Sequence, residues 1–350
     1  MVRAGETMIR VVQIRERRLG EEGPALVVAE IGNNHDGSVG QAKALIEAAA
    51  EAGAGAVKFQ THIADAEMLP STPTPPHFDE PRFEFTKRME LSFDDHARLK
   101  AHAEERGLLF FSSPFSVEAV EMLEKLDVPL YKIASGEVTN PPLVGAVAAT
   151  GRPVLVSTGM SGLDEVEGAV AILRGAGVQF ALLQCTSIYP CPPEKVNLRA
   201  MRTLAERFDC PVGLSDHTPD IYTGVAAVAL GAVCVEKHFT LSRRLYGPDH
   251  HASLEPPDLA RLVDGIRQVE AAMGDGEKFR DPAQEPTRAT FEKSVVTAAP
   301  IDEGDLIVAS MLTTKRPGNG IPATSLGELV GRRARRPLES DELITEADLV

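Results

Sequence analysis

The chain has 350 residues at 37.5 kDa, more than one hydrophobic core usually organises, so its length predicts a large domain with a smaller companion. Apolar residues at 43% and charged residues at 25% exclude a disordered or collagen-like chain. With 36 Lys and Arg against 51 Asp and Glu the formal net charge is −15, and such a surface repels phosphate backbones and anionic membranes, predicting neither a nucleic-acid nor a membrane partner.

The N-terminal run MVRAGETMIRVVQIRERR is charged throughout and lacks the apolar centre of a secretory signal. Cys185, Cys191, Cys210 and Cys234 form no CxxC pair, which predicts reduced thiols and a cytoplasmic protein. The longest charge-free stretch, 175–193, is interrupted by prolines and polar residues and does not read as a membrane span.

From residue 26 one rhythm repeats eight times: a short apolar, β-branched run ends in polar residues and an amphipathic helical stretch follows. The predicted strands are LVVAEIGNN (26–34), AVKFQTH (56–62), LLFFSSPF (108–115), LYKIASGE (130–137), PVLVSTGM (153–160), FALLQCTSIYP (180–190), PVGLSDHT (211–218) and AVCVEKHFT (232–240). Near-continuous apolar strands alternating with helices predict a parallel sheet covered on both faces. Eight such units in about 250 residues predict a (β/α)8 barrel over residues 1–275. An open doubly wound sheet is the alternative, disfavoured because no GxGxxG turn follows a strand and polar residues end all eight.

Two places break the rhythm. Residues 63–93 form a Pro-containing insertion with Phe78, Phe83 and Phe85, long enough to predict either a functional lid or a disordered segment. Residues 276–290 read as a linker, and 291–350 as a small β-rich module whose halves echo each other, PIDEGDLI (300–307) against PLESDELI (337–344). The echo predicts internal pseudo-symmetry.

In a barrel, catalytic groups collect where strands end. Those positions supply Glu30, Asn33, Lys58, Gln60, His62, Ser113, Lys132, Ser135, Glu137, Ser157, Ser187, Tyr189, Ser215, His217, Glu236 and His238, more titratable groups than strands need merely to leave a core. His217 and His238 occupy equivalent positions on adjacent strands, where they could share one transition-metal ion or act as hydrogen-bonded acid–base residues. His35, His62, His250 and His251 lack comparable partners and read as surface or loop-packing residues. Lys58 and Lys132, with Ser113, Ser135, Ser157 and Ser215, suit a phosphate or carboxylate; a Schiff-base lysine, or ion pairs with Glu30, Glu137 or Glu236, are the other readings.

The motifs AEIGNNHDG (29–37), VKFQTH (57–62), FFSSPFS (110–116), YKIASGE (131–137), STGM (157–160), QCTSIYP (184–190), GLSDHT (213–218), VEKHFTL (235–241) and GPDHHASLEP (247–256) together resemble the N-acetylneuraminate (sialic acid) synthase family, which includes legionaminic and pseudaminic acid synthases and spore-coat polysaccharide proteins. KRPGNGIP (315–322) resembles that family's C-terminal antifreeze-like (SAF) domain.

The resemblance implies a (β/α)8 barrel followed by a SAF domain. It implies condensation of phosphoenolpyruvate with an N-acetylated hexosamine such as N-acetylmannosamine, giving a nine-carbon 2-keto acid and phosphate. His217 and His238 match ligands of a divalent metal, typically Mn2+, with Mg2+ or Co2+ as other candidates. Lys132, Ser135, Ser157 and Ser215, with Ser113, match the phosphoenolpyruvate site, and Glu30 the acid–base carboxyl. Lys58, Gln60, Glu137, Tyr189, Glu236 and Asp249 match the sugar side. Arg316 matches an arginine that crosses from the SAF domain of one subunit to its partner's site in a swapped homodimer. Ser187 stands where many sialic acid synthases carry Asn, and Ser242 where an acidic residue is common. A metal-dependent or Schiff-base aldolase and an inactive carbohydrate-binding protein are rivals, the second disfavoured by the intact set Glu30, Lys132, His217 and His238.

Overall fold

Each of the eight predicted apolar runs forms a strand in the computed structural model of the protein, which describes residues 11–20, 23–75 and 78–350. A short antiparallel hairpin, β1 (Val12–Ile14) and β2 (Arg17–Leu19), comes first. Then follow β3 (Leu26–Gly32), β4 (Ala56–Thr61), β5 (Leu109–Pro114), β6 (Tyr131–Ile133), β7 (Val154–Ser157), β8 (Phe180–Cys185), β9 (Val212–Asp216) and β10 (Cys234–His238). All eight pair in parallel in chain order, and β10 returns to β3, closing the barrel and excluding the open sheet. The first ten residues of the charged N-terminal run lie outside the described residues. Among the described residues no helix is long and apolar enough to cross a membrane.

Alternation along the strands sorts two cores. Outward residues such as Val27, Ala29, Val57, Phe59, Val154 and Val235 pack under the surrounding helices. Inward residues Leu26, Val28, Ala56, Phe111, Leu155, Leu183 and Cys234 fill the lower barrel, and Val12, Ile14 and Leu19 of the hairpin join them. The barrel interior is therefore a packed core at that level. Some of the helices begin on short polar caps: Ser38 accepts from the Gln41 amide, Ser92 and Asp95 form a reciprocal capping box, and Asn140 accepts from Leu143.

The described chain divides into two units, the first ending at Gly274 and the second beginning at Asp275. Part of the stretch read as a linker is helical: a 3-10 turn at Pro282–Gln284 leads into the helix Glu285–Phe291. The second unit pairs β11 (Ser294–Thr297) with β12 (Leu312–Lys315) around Val295, Ile301, Ile307, Leu338 and Ile344.

Its sequence echo is a structural one. Ile301 and Leu338, 37 positions apart, exchange backbone hydrogen bonds of 2.9 Å in each direction. Around them the bonds recur under the same offset: Ile307 donates to Arg332 as Ile344 donates to Val295, and Gly304 donates to Ala334 as Asp341 donates to Thr297. Gly304 and Asp341 both have positive φ, 82° and 64°. The two halves are thus related by a pseudo-twofold through the Ile301–Leu338 bridge.

Candidate active site

Two residues above the apolar inner layer the same alternation turns polar. Val28 is followed by Glu30, Ala56 by Lys58 and Gln60, Phe111 by Ser113, and Leu155 by Ser157; Cys234 is followed by Glu236 and His238. Register sets Glu30 beside Lys58 on one side and beside His238 on the other, with Ser215 beside Glu236. Within the barrel unit these side chains line a cavity of about 400 Å3.

Charge in the cavity is paired and buried. Lys58 Nζ lies 2.7 Å from Glu30 Oε2 and 3.8 Å from Glu236 Oε1, while Lys132 Nζ lies 3.4 Å from Glu236 Oε1. Lys58 also donates to Ser113 Oγ at 3.2 Å, and Ser215 Oγ donates to Glu236 Oε1 at 3.3 Å. Burial pushes the Glu30 carboxyl up to about 7, although Lys58 pulls against it. Burial acts on Glu236 in the same direction, but Lys132 and Lys58 outweigh it and hold that carboxyl below the ordinary range. Burial depresses Lys132, and Glu236 only partly compensates. The carboxylate pairing read as one alternative is therefore present; it leaves Lys132 poorly compensated, beside a Ser157 hydroxyl that has no hydrogen-bond partner.

Ser135 Oγ accepts from the Gly159 amide at 3.0 Å. A Cβ at Gly159 would sit 2.5 Å from Ser187 Oγ and 2.9 Å from Ser135 Oγ, so only glycine lets the chain pass so close behind these hydroxyls.

The two histidines face one another with ring centroids 5.4 Å apart. His217 Nδ1 donates to the Thr186 carbonyl at 2.9 Å, which fixes its tautomer and leaves Nε2 as the lone-pair nitrogen. His238 is held near pKa 4, chiefly by burial, hence neutral, and its buried Nδ1 has no partner in hydrogen-bond reach; Asp249 Oδ2 lies 4.0 Å away. Two facing imidazoles suit a divalent ion, although at His217 burial is outweighed by Cys185 and the Thr186 carbonyl, which raise its pKa, and among the described residues no group of three or more His, Cys, Asp or Glu has metal-site geometry. Such an ion would draw its other ligands from water or substrate. Tyr189 packs on His217 at 4.1 Å and on His238 at 5.8 Å.

Of the strand-end and site residues predicted in the barrel, all line this cavity except Glu137 and His62. The strand read as 130–137 ends at Ile133, and Ser135–Glu137 is a 3-10 turn in which Glu137 Oε2 accepts from Asn140 Nδ2 at 2.7 Å. Arg316 belongs to the second unit, where its Nε donates to the Phe291 carbonyl at 3.0 Å. His62 departs from the expectation of a loop-packing residue without partners: its Nδ1 is 2.9 Å from Glu67 Oε1 and its Nε2 is 3.1 Å from Gln60 Oε1. His35 and His250 are indeed buried packing residues.

The lining also includes Phe78, Arg82, Phe115, Met160, Cys185 and Pro248. Phe78 and Arg82 come from the insertion, which forms the helices Ala64–Glu67 and Arg82–Met89; residues 76–77 lie outside the described part. The Arg82 guanidinium lies over the Phe78 ring at 4.8 Å. The aromatic content of the insertion was the available signal for these two.

Residues 45–278 match the NeuB family model and residues 292–350 the SAF domain model. N,N'-diacetyllegionaminic acid synthase of Campylobacter jejuni is 41% identical over 330 residues, 92% of this chain and 99% of that protein. N-acetylneuraminate-9-phosphate synthase of Homo sapiens is 37% identical, with 94% of each chain covered. Among solved structures, the N-acetylneuraminic acid synthetase of Leptospira borgpetersenii in complex with citrate superposes with a TM-score of 0.72 at 32% identity, over 80% of this chain and 95% of that one. The spore coat polysaccharide biosynthesis protein SpsE of Bacillus subtilis does so with a TM-score of 0.67 at 34% identity, over 97% and 99%.

Proposed function

The chain belongs to the NeuB family, and from that premise we propose that it condenses phosphoenolpyruvate with an N-acetylated hexosamine, N-acetylmannosamine or a diacetamido relative, to give a nonulosonic acid and phosphate. The observation that carries this reading is the sharing of one cavity by an anion site and two free imidazoles: Lys58, Lys132 and four serine hydroxyls beside His217 and His238. A trianionic donor supplies the charge that the under-compensated Lys132 lacks.

In this reading Lys132, Ser135, Ser157 and Ser215 hold the phosphate and carboxylate of the donor, and Tyr189, Gln60 and Asp249 orient the sugar. A divalent ion, Mn2+ by preference, held by His217 and His238 would polarise the sugar aldehyde as a Lewis acid. As C3 of the donor bonds to the aldehyde carbon, positive character develops at C2, and water adds there, giving its proton to Glu30. Glu30 passes that proton to the former aldehyde oxygen, and the C–O bond to phosphate breaks as the remaining hydroxyl proton moves to the departing phosphate, so C2 becomes the ketone. Lys58 stays on Glu30 and keeps it aimed into the cavity.

A phosphate-release assay with phosphoenolpyruvate against N-acetylmannosamine, its 6-phosphate and 2,4-diacetamido hexoses tests the proposal. One sugar should give stoichiometric phosphate and 2-keto acid; no phosphate from any, with Mn2+ present, overturns it.

We place Arg316 in a partner's site, within a dimer that exchanges SAF domains. Glu30→Ala and Arg316→Ala chains, each inactive, should regain about a quarter of wild-type activity on co-refolding, because half the dimers are mixed and each has one intact site. No recovery, with mixed dimers shown to form, rules the exchange out.

A further inference from the structure

The lining of the cavity carries a third cation besides Lys58 and Lys132, and the insertion supplies it: Arg82. This residue opens the helix Arg82–Met89, and its amide donates to Thr74 Oγ1 at 3.1 Å, which ties the helix start to the loop before it. The half-buried guanidinium lies 4.8 Å from the Phe78 ring centroid and 5.9 Å from that of Phe85. Those two rings meet edge to face at 5.1 Å. Aromatic faces hold a guanidinium in place without occupying its N–H donors. No carboxylate of the described residues hydrogen-bonds this one: burial lowers its pKa, and Glu67 and Asp249 act against that through space alone.

The charges that Arg82 feels place it along the cavity. Lys58 feels Glu236, Glu30 and Asp249, whereas Arg82 feels Glu67 and Asp249 and neither of the other two. Asp249 is common to both, and its Oδ2 lies 4.0 Å from His238 Nδ1. Arg82 therefore stands beyond Asp249, away from the histidines and the Glu30–Lys58–Glu236 cluster. With the acceptor's aldehyde at the histidines, the group that reaches Arg82 is one carried farther along the sugar.

The chemistry of that group can be narrowed. A guanidinium keeps its charge and only donates, so its partner must accept. A phosphate dianion would accept, but it would face Glu67 and Asp249, which already act on the same cation. A hydroxyl would accept and leave the Phe78 ring nothing to cover. An acetamido group uses all three features: its carbonyl takes the guanidinium, its N–H suits a carboxylate such as Asp249, and its methyl suits the aromatic surface.

We propose that Arg82, with Phe78, is a specificity-determining residue that selects acceptors bearing a second acetamido group remote from the aldehyde, as in a 2,4-diacetamido hexose. The inference rests on the condensation proposed above and narrows its acceptor.

With phosphoenolpyruvate and Mn2+, kcat/KM for a 2,4-diacetamido hexose should exceed that for the otherwise identical sugar with a hydroxyl at C4 by about 100-fold. Arg82→Met, which keeps an apolar stem on the two rings, should bring that ratio to about one. Arg82→Lys, which keeps the charge without the planar fork, should leave it at about ten, and it carries the comparison should the methionine variant fail to fold. A wild-type ratio near one, or an equal loss on both sugars in the variants, overturns the proposal. So does a wild-type preference for a 6-phosphate that disappears in the variants, since the arginine would then read a phosphate. If no acceptor releases phosphate, the condensation itself falls, and calorimetric titration of the diacetamido sugar into the full-length proteins decides Arg82 separately. Affinity about 100-fold weaker in Arg82→Met upholds the contact, and equal affinity overturns it.

Discussion

Replacing either His217 or His238 by alanine should lower turnover by on the order of 10³-fold while leaving the circular dichroism spectrum unchanged. The magnitude follows from the several kcal/mol that Lewis-acid polarisation supplies, at about 1.4 kcal/mol per decade. Both rings stand at the polar end of the barrel, above a packed apolar layer, so their loss removes chemistry rather than core. EDTA should silence the wild type, and Mn2+ should restore it but neither variant. Binding can be read without turnover: Mn2+ should raise the melting temperature of the EDTA-treated wild type and leave those of the variants where they are. Full activity of either variant in EDTA would sink the metal assignment.

Lys132→Met should weaken phosphoenolpyruvate by about 100-fold, the worth of a charge-assisted contact to a buried anion plus its hydrogen bonds. The same change should not lower the melting temperature, and a rise is consistent with the geometry. Lys132 is buried, its only carboxylate within 4 Å among the described residues is Glu236 at 3.4 Å, and Glu236 keeps Ser215 and Lys58 when the ammonium is gone. Calorimetric titration with phosphoenolpyruvate, set beside a thermal melt of the ligand-free protein, reads both halves. Unchanged affinity contradicts the anion site, and a steep loss of stability would show that Lys132 holds the barrel together.

The barrel was legible because its strands are apolar on both faces and its helices amphipathic, a pattern that survives without knowledge of any contact. Strand ends were not, since the polar residues that end a strand continue its alternation on paper. That is why 180–190 reads as one strand, whereas the chain leaves the sheet at Cys185 and Ile188 stands exposed. It bears on Glu137 too: the predicted strand runs to residue 137, whereas the chain leaves the sheet at Ile133 and the 3-10 turn carries Glu137 to Asn140. The inward residues of the barrel, by contrast, needed only the period of two. His62 was misjudged for another reason. Its partners, a glutamate five residues on and an amide two residues back, lie in hydrogen-bond reach of its two ring nitrogens, which no periodicity encodes.

The pseudo-twofold of the C-terminal unit limits how that unit can be edited. A solenoid can lose a terminal repeat and keep the rest, because each repeat touches only its neighbours. Here each backbone bond that recurs under the 37-residue offset joins one half to the other, beside the β11–β12 pair that lies within the first half. Cutting the chain before Pro337 would strip Ile301 of both its rungs and the Val295 carbonyl of its donor. The module is one object written twice, and a shortened gene would encode a first half without the bonds that join it to the second.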